Sequence, residues 1–162
     1  MTTAARLSPI EVYASTIPDK PPVDVDRLAT DLGLHVIRRR NLEPEVPGGI
    51  FKSASSPSGY TIYVNSNDRP RRQRFTLAHE IAHFILHRDL LGDGIEDDAQ
   101  YRSSSLGTLH EQQANRMAAD ILMPAQLVKA ISSEKSPAEL ADAFDVSVDA
   151  MQIRLRELQL DG

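Results

Sequence analysis

Thr76-Leu77-Ala78-His79-Glu80-Ile81-Ala82-His83-Phe84-Ile85 carries His-Glu-x-x-His inside an otherwise apolar run. Coiled as a helix, the stretch projects His79 and His83 from one face, four residues apart and within reach of one ion. Glu80 lies beside them, placed to take the proton of a water activated by that ion. At about 100° per residue, Thr76, His79, Glu80, His83 and His87 share one stripe, and Phe75, Leu77, Ala78, Ile81, Ala82, Phe84, Ile85 and Leu86 cover the rest. A helix apolar on all other sides is expected to be central and buried, so its polar stripe must line something. The bland alternative, two histidines on a helix surface, does not suit a buried stripe, which needs partners to offset desolvation.

Upstream, Pro70 suits the first turn of this helix, which should start near Asp68 or Arg69 and end at Leu86 or His87. Gly48–Lys52 and Tyr60–Asn65 read as a hairpin turned through the Ser/Pro/Gly-rich stretch between them. Leu34–Ile37 suits another strand. Before it, Val23–Leu32 reads as a helix with Asp24 as N-cap and Gly33 as its stop. Residues 1–22 are expected to be a tether or a short helix ended by Pro18, Pro21 and Pro22.

Downstream, residues 88–108 read as a long loop with an acidic cluster at Asp93, Glu96, Asp97 and Asp98. Thr108 is expected to cap a helix running to Met123 before Pro124. Shorter helices follow. Ser136-Pro137-Ala138-Glu139 is a capping box and Ser147 a further cap. Residues 23–162 are expected to form a single α+β domain in which a small sheet precedes the motif helix, with a helix-turn-helix-like segment at 137–158.

Two histidines do not complete a catalytic metal site, which uses three protein ligands. His87 extends the same stripe, but three ligands along one straight helix would span about 12 Å, too far for one ion. It reads instead as a supporting or substrate-side group. Glu111 shares a helix face with Ala114, Asn115, Ala118 and Leu122, and the alanines permit close approach of a second helix. Glu111 can therefore be a ligand, or equally the far end of a capping box with Thr108. Asn115, one turn on, could orient a ligand histidine.

The chain has 162 residues, 41% hydrophobic and 25% charged, enough for one domain with a core. Its formal charge of −5 argues against a wholesale polyanion binder. With no cysteine, disulfides and thiolate metal sites are excluded. The N-terminal residues lack a signal-peptide core, and no run approaches the roughly 20 apolar residues of a membrane span. The expected location is cytoplasmic.

Arg74-Phe75-Thr76-Leu77-Ala78-His79-Glu80-Ile81-Ala82-His83, followed by Glu111-x-x-Ala114-Asn115-x-x-Ala118-Ala119-x-Ile121-Leu122-Met123-Pro124, resembles the ImmA/IrrE metallopeptidase family. The likeness extends over roughly residues 23–160. It implies a gluzincin-like α+β metallopeptidase, with a small antiparallel sheet packed against a helical bundle that carries the His-Glu-x-x-His helix. It further implies one zinc ion held by His79, His83 and Glu111, with Glu80 as catalytic acid/base. Members of the family cleave or inactivate helix-turn-helix (XRE-type) transcriptional repressors of mobile elements or stress responses, and some relatives occur in toxin–antitoxin-like pairs. The resemblance thus implies such a repressor as substrate.

On this reading Glu80 takes a proton from water as it attacks a peptide carbonyl, then delivers it to the leaving amine. A further donor should stabilise the oxyanion, with His87, Tyr101, Arg102 and Tyr63 as candidates. The run Arg69, Arg71, Arg72 and Arg74 sits at the helix end that disfavours cations, so it needs a counterpart: it reads as a solvated face or as paired with the acidic loop 93–98, with a grip on an acidic substrate as the alternative. Gln152, Arg154 and Arg156 on the last helix raise DNA binding, which the neighbouring Asp142, Asp145, Asp149 and Glu157 oppose. The other function class is a non-proteolytic binding or toxin-like partner whose metal is structural.

Overall fold

The computed structural model describes residues 7–103 and 105–160. Along the chain come α1 (Pro9–Ser15), α2 (Val25–Asp31), β1 (His35–Arg39), β2 (Gly48–Lys52), β3 (Tyr60–Asn65) and α3 (Pro70–His87). After a 3-10 turn at Arg88–Leu90 follow β4 (Gly94–Glu96), α4 (Thr108–Leu122), α5 (Ala125–Ile131), α6 (Pro137–Phe144) and α7 (Val148–Glu157). Of the expected N-terminal tether, residues 1–6 lie outside the described residues. The rest includes α1, whose Val12 and Tyr13 pack on the core.

The local signals act as their chemistry requires. Asp24 caps α2 by accepting from the Arg27 N–H, and Gly33 closes that helix at φ +77°, a conformation open to a residue without Cβ. Ser136 and Glu139 form the reciprocal capping box of α6, and Ser147 caps α7. Thr108, however, is the first residue of α4 and not its cap. Gly107 holds that position without a side-chain bond. Glu111 is thereby released from a capping box and turns inward.

The sheet order is β1-β3-β2-β4. β2 and β3 pair antiparallel as the hairpin reading requires, but β1 runs parallel to β3, so the sheet is mixed. The residues between β1 and β2 easily span the roughly 10 Å of two strand positions, which leaves room for β3 to enter between them. β4, antiparallel to β2 with Ile50 opposite Ile95, lies within the expected loop 88–108. Three residues with one apolar side chain, flanked by acids, give no alternation to read.

α3 lies across this sheet and against α4. Residues Thr76–Phe84 are buried, including the entire polar stripe, while Leu86 at its far end is 45% exposed and not part of the core. Ala78 and Ala82 of α3 and Ala114 and Ala118 of α4 are fully buried, and their small size is what permits close packing of helices. The basic run finds its counterpart at the end of α6 and not in the acidic loop. Arg71 pairs with Asp142 at 2.8 Å and Asp145 at 3.1 Å. Arg74 donates to the carbonyl oxygens of Val23, Phe144 and Asp145. Arg154 is buried, donates to the Met123 carbonyl and pairs with Asp120 at 2.8 Å, so it is not on a DNA-facing surface.

β2 comes close to α3 at Gly48. A Cβ on Gly48 would meet the Tyr63 carbonyl oxygen and the Thr76 methyl group. Gly48→Ala is therefore expected to destabilise the fold by about 1–3 kcal/mol, the range for overpacking. Urea unfolding followed by circular dichroism measures it, and an unchanged midpoint would contradict this packing.

Candidate metal centre

α3 delivers His79 and His83 one helical turn apart, and their rings meet edge to face at 4.6 Å. α4 crosses so that Glu111, in its first turn, faces both. Glu111 Oε1 is 3.2 Å from His79 Nε2 and 3.1 Å from His83 Nε2. The small alanines one and two turns further along α4 make this approach possible. Two histidines and a carboxylate from separate helices thus share one point.

A fourth donor arrives from the sheet. Asp97 directly follows β4, its backbone N–H bonded to the Gly48 carbonyl at 3.2 Å, and its Oδ2 is 3.1 Å from His79 Nε2. Sequence reasoning passed over it as one of four acids in an acidic cluster. Its signal was the length of a loop that had to go somewhere. One donor atom from each of His79, Glu80, His83 and Asp97 fits within 4.8 Å of the others.

These donors are buried. His79, Glu80 and His83 are 0% exposed, and Asp97 and Glu111 2%. Both oxygens of Glu80, both of Asp97 and Oε2 of Glu111 have no hydrogen-bond partner. In a tetrahedron with bonds of about 2.0–2.1 Å, neighbouring ligand atoms are about 3.3 Å apart. The observed 3.1–3.2 Å spacings match. Oxygen and imidazole donors with no thiolate suit a divalent cation such as zinc.

The outer bonds set the ring tautomers. His79 Nδ1 is 2.9 Å from Asn115 Oδ1 and donates to it, which turns Nε2 to the centre and leaves it bare when the ring is neutral. His87 Nε2 donates to Gln113 Oε1 at 2.8 Å. That leaves His87 Nδ1 to accept from His83 Nδ1–H at 3.0 Å, so His83 also presents Nε2. Gln113 was not foreseen. Burial, the largest influence, holds His87 below the usual imidazole range, in keeping with its neutral form in this relay.

The crowding of three carboxylates in a dry site shows in their titration. Glu80 is raised well above the usual range, first by burial and then by Asp97 and Glu111. Burial opposes ionisation of Asp97, but Glu80 and His79 override it and bring it down to about 2. Burial likewise opposes the charge on His79, yet Asp97 and Glu111 push it up to about 9. A buried cluster with this surplus of carboxylate is a cation site in search of positive charge.

The remaining candidates are spread around the centre. Tyr101, left-handed at φ +58°, places its ring 5.2 Å from His79 and its hydroxyl 2.9 Å from Thr76 Oγ1. Tyr63 donates to Glu96 at 2.6 Å. Arg102 is exposed, pairs with Asp98 and bonds Gln100.

Comparison with known proteins places the chain in a peptidase family. The family model of the peptidase family described as IrrE N-terminal-like domain matches residues 29–156. The radiation response metalloprotease IrrE of Deinococcus deserti is 40% identical over 119 residues, covering 69% of this chain and 41% of that protein. The protein of the same name from Deinococcus radiodurans is also 40% identical over 119 residues, covering 69% of this chain and 35% of that one. The matched region is thus about two fifths or less of these curated relatives. Among solved structures, a Mycobacterium tuberculosis transcriptional regulator superposes with a TM-score of 0.62 at 17% identity, over 91% of this chain and 45% of that one. At that identity it shares the fold. Among the described residues no helix is long and apolar enough to cross a membrane.

The geometry separates ligand from support. Glu111→Ala should abolish stoichiometric zinc binding, whereas His87→Ala should retain one zinc per chain with affinity weakened about 10–100-fold, the usual cost of losing an orienting partner. Metal content after gel filtration and chelator competition read both. Full zinc retention by Glu111→Ala would remove it from the site.

Proposed function

This chain belongs to the IrrE N-terminal-like peptidase family, and from that premise we propose that it is a zinc-dependent endopeptidase. The observation that carries the reading is the convergence of His79, His83 and Glu111 from two helices on one buried point, with Glu80 beside it. His79, His83 and Glu111 would hold the ion. Bound there, zinc supplies Lewis acidity toward water and toward a substrate carbonyl oxygen. Glu80, buried beside the two histidines and Asp97, takes a proton from the attacking water and returns it to the leaving amine nitrogen. Asn115 and the Gln113–His87 pair keep Nε2 of each histidine turned inward.

The substrate we propose is a helix-turn-helix repressor, as the family resemblance and the stress-response name of the curated relatives suggest, with transcription regulation as the outcome. The cytoplasm, where such a repressor works, is the proposed place of action, and a chain free of cysteine suits it. Nothing in this reading calls on nucleic acid: the last helix spends Arg154 on an internal pair.

One observation favours a second reading. Asp97 brings a fourth protein donor to the cluster, and four protein ligands are the mark of a structural metal site. On that reading the chain is a non-proteolytic or toxin-like partner of a repressor, as in a toxin–antitoxin module.

The two separate in one experiment. The protein is mixed with the helix-turn-helix protein encoded beside it, with and without chelator. Metal-dependent fragments are expected, and Glu80→Gln should keep its zinc while slowing their formation by about 10²–10⁴-fold, the share general acid–base catalysis contributes. Equal cleavage by Glu80→Gln would end the proposed mechanism. A stable stoichiometric complex without fragments would favour the second reading.

A further inference from the structure

The donors at the centre are all closed off from solvent, at 0–2% exposed. A catalytic site keeps one coordination position for water or substrate. Here the carboxylate of Asp97, 3.1 Å from His79 Nε2 and 2% exposed, would supply a fourth protein donor beside His79, His83 and Glu111. Glu80 is sealed behind it. The chain holds Asp97 there through the backbone: its N–H bonds Gly48, and the preceding residues pair with β2 as Gly49↔Glu96, Ile50↔Ile95 and Phe51↔Gly94.

β4 also occupies the side of β2 along which an extended peptide could otherwise add to the sheet. Strand and carboxylate together cover the edge of β2 and supply a fourth donor at the centre. The strand is short, with three paired residues, and Gly94 at φ +146° begins it. The far side of the segment is held by side chains: Tyr101 on Thr76, and Arg72 on the Ala99 carbonyl.

We propose that Asp97 is a displaceable fourth ligand, and that the segment from Gly94 to Tyr101 is a built-in plug that keeps the centre closed until a substrate draws the Asp97 carboxylate away. This inference rests on the zinc peptidase reading. The substrate carbonyl oxygen competes with an intramolecular carboxylate, so apparent affinity for anything entering the site is reduced by the fraction of chains in which Asp97 is withdrawn. A partner that adds to the free edge of β4, or displaces it from β2, would raise that fraction. Control of activity then resides in this chain and needs no separate inhibitor.

The test uses the full chain, stripped of metal and loaded with cobalt(II), whose visible spectrum reports coordination, and titrated with acetohydroxamate. Wild type, Asp97→Ala and the isosteric Asp97→Asn should each bind one cobalt, since His79, His83 and Glu111 remain. Acetohydroxamate should shift the spectrum of both variants at concentrations about tenfold lower or more than for wild type, the ratio expected when the open state is populated at a tenth or less. Equal sensitivity in all three proteins overturns the plug. So does loss of cobalt from both variants while each still melts cooperatively, which would make Asp97 an obligatory ligand. A wild-type chain that takes up no cobalt overturns the peptidase reading and this inference with it, an outcome distinct from the other two.

Discussion

The close contact of α3 with α4 is the constraint on which the rest depends. Ala78 and Ala82 on one helix and Ala114 and Ala118 on the other are fully buried. With larger side chains the axes would separate by an ångström or more, and the axis spacing of packed helices follows the side chains at the contact. Glu111 reaches His79 and His83 at 3.1–3.2 Å across this gap. A site that tolerates only tenths of an ångström in ligand spacing is therefore set by the absence of side-chain bulk one turn away. The apolar burial around α3 and the geometry of the centre are one packing problem, solved by the same residues.

That packing has an electrostatic consequence. Three carboxylates and two imidazoles are removed from water, and several of their oxygens are left without a hydrogen-bond partner. An isolated buried charge is strongly disfavoured, and the usual response is to neutralise or to pair. Both responses are present: Glu80 is driven toward its neutral acid and His79 toward its cation. A divalent ion relieves the same imbalance at one stroke, with the histidines neutral and held in the right tautomer by Asn115 and by the relay from Gln113 through His87. The outer residues thus matter through which nitrogen they leave bare.

Much of this was legible in the sequence where it was periodic. The apolar wrap around His79, Glu80 and His83 marked α3 and its burial, and the β2–β3 hairpin and the Ser136 and Ser147 caps follow from short-range chemistry. Glu111 was legible as the third ligand, against the capping box that Thr108-x-x-Glu111 also spells, and its inward turn is decided by tertiary contact. Strand order was not legible: β1 lies beside β3 because of where the connection passes, which no pattern in either strand encodes. β4 and Asp97 were the least legible. A three-residue strand has too few positions to show a period, and a functional carboxylate among three solvent-side acids differs from them in burial alone. Gln113, exposed and polar, carried no signal except its place one residue from a helix face that mattered.

The arginines at the start of α3 explain why the site has firm walls on one side and a yielding one on the other. Four cations in the first turns of a helix oppose its dipole, so α3 begins well only where acceptors and acids meet it. The end of α6 supplies them. Arg71 takes Asp142 and Asp145, and Arg74 takes three carbonyl oxygens from residues that flank α2 and α6. The helix-turn-helix-like pair α6–α7 is thereby bound into the fold as a wall, and Arg154 of α7 secures the end of α4 through the Met123 carbonyl and Asp120. The bonds of Arg74 and Arg154 to backbone carbonyl oxygens are part-buried or buried charged donations, the kind that are costly to break, whereas the Arg71 pairs lie at the surface and add little. The segment bearing Asp97 is held instead by a three-residue ladder and a few polar contacts, one of them Arg72 reaching the Ala99 carbonyl. When a closed centre opens, it does so along its weakest wall. In this fold that wall is also the one that carries the fourth donor, so opening the path and freeing the coordination position are a single movement.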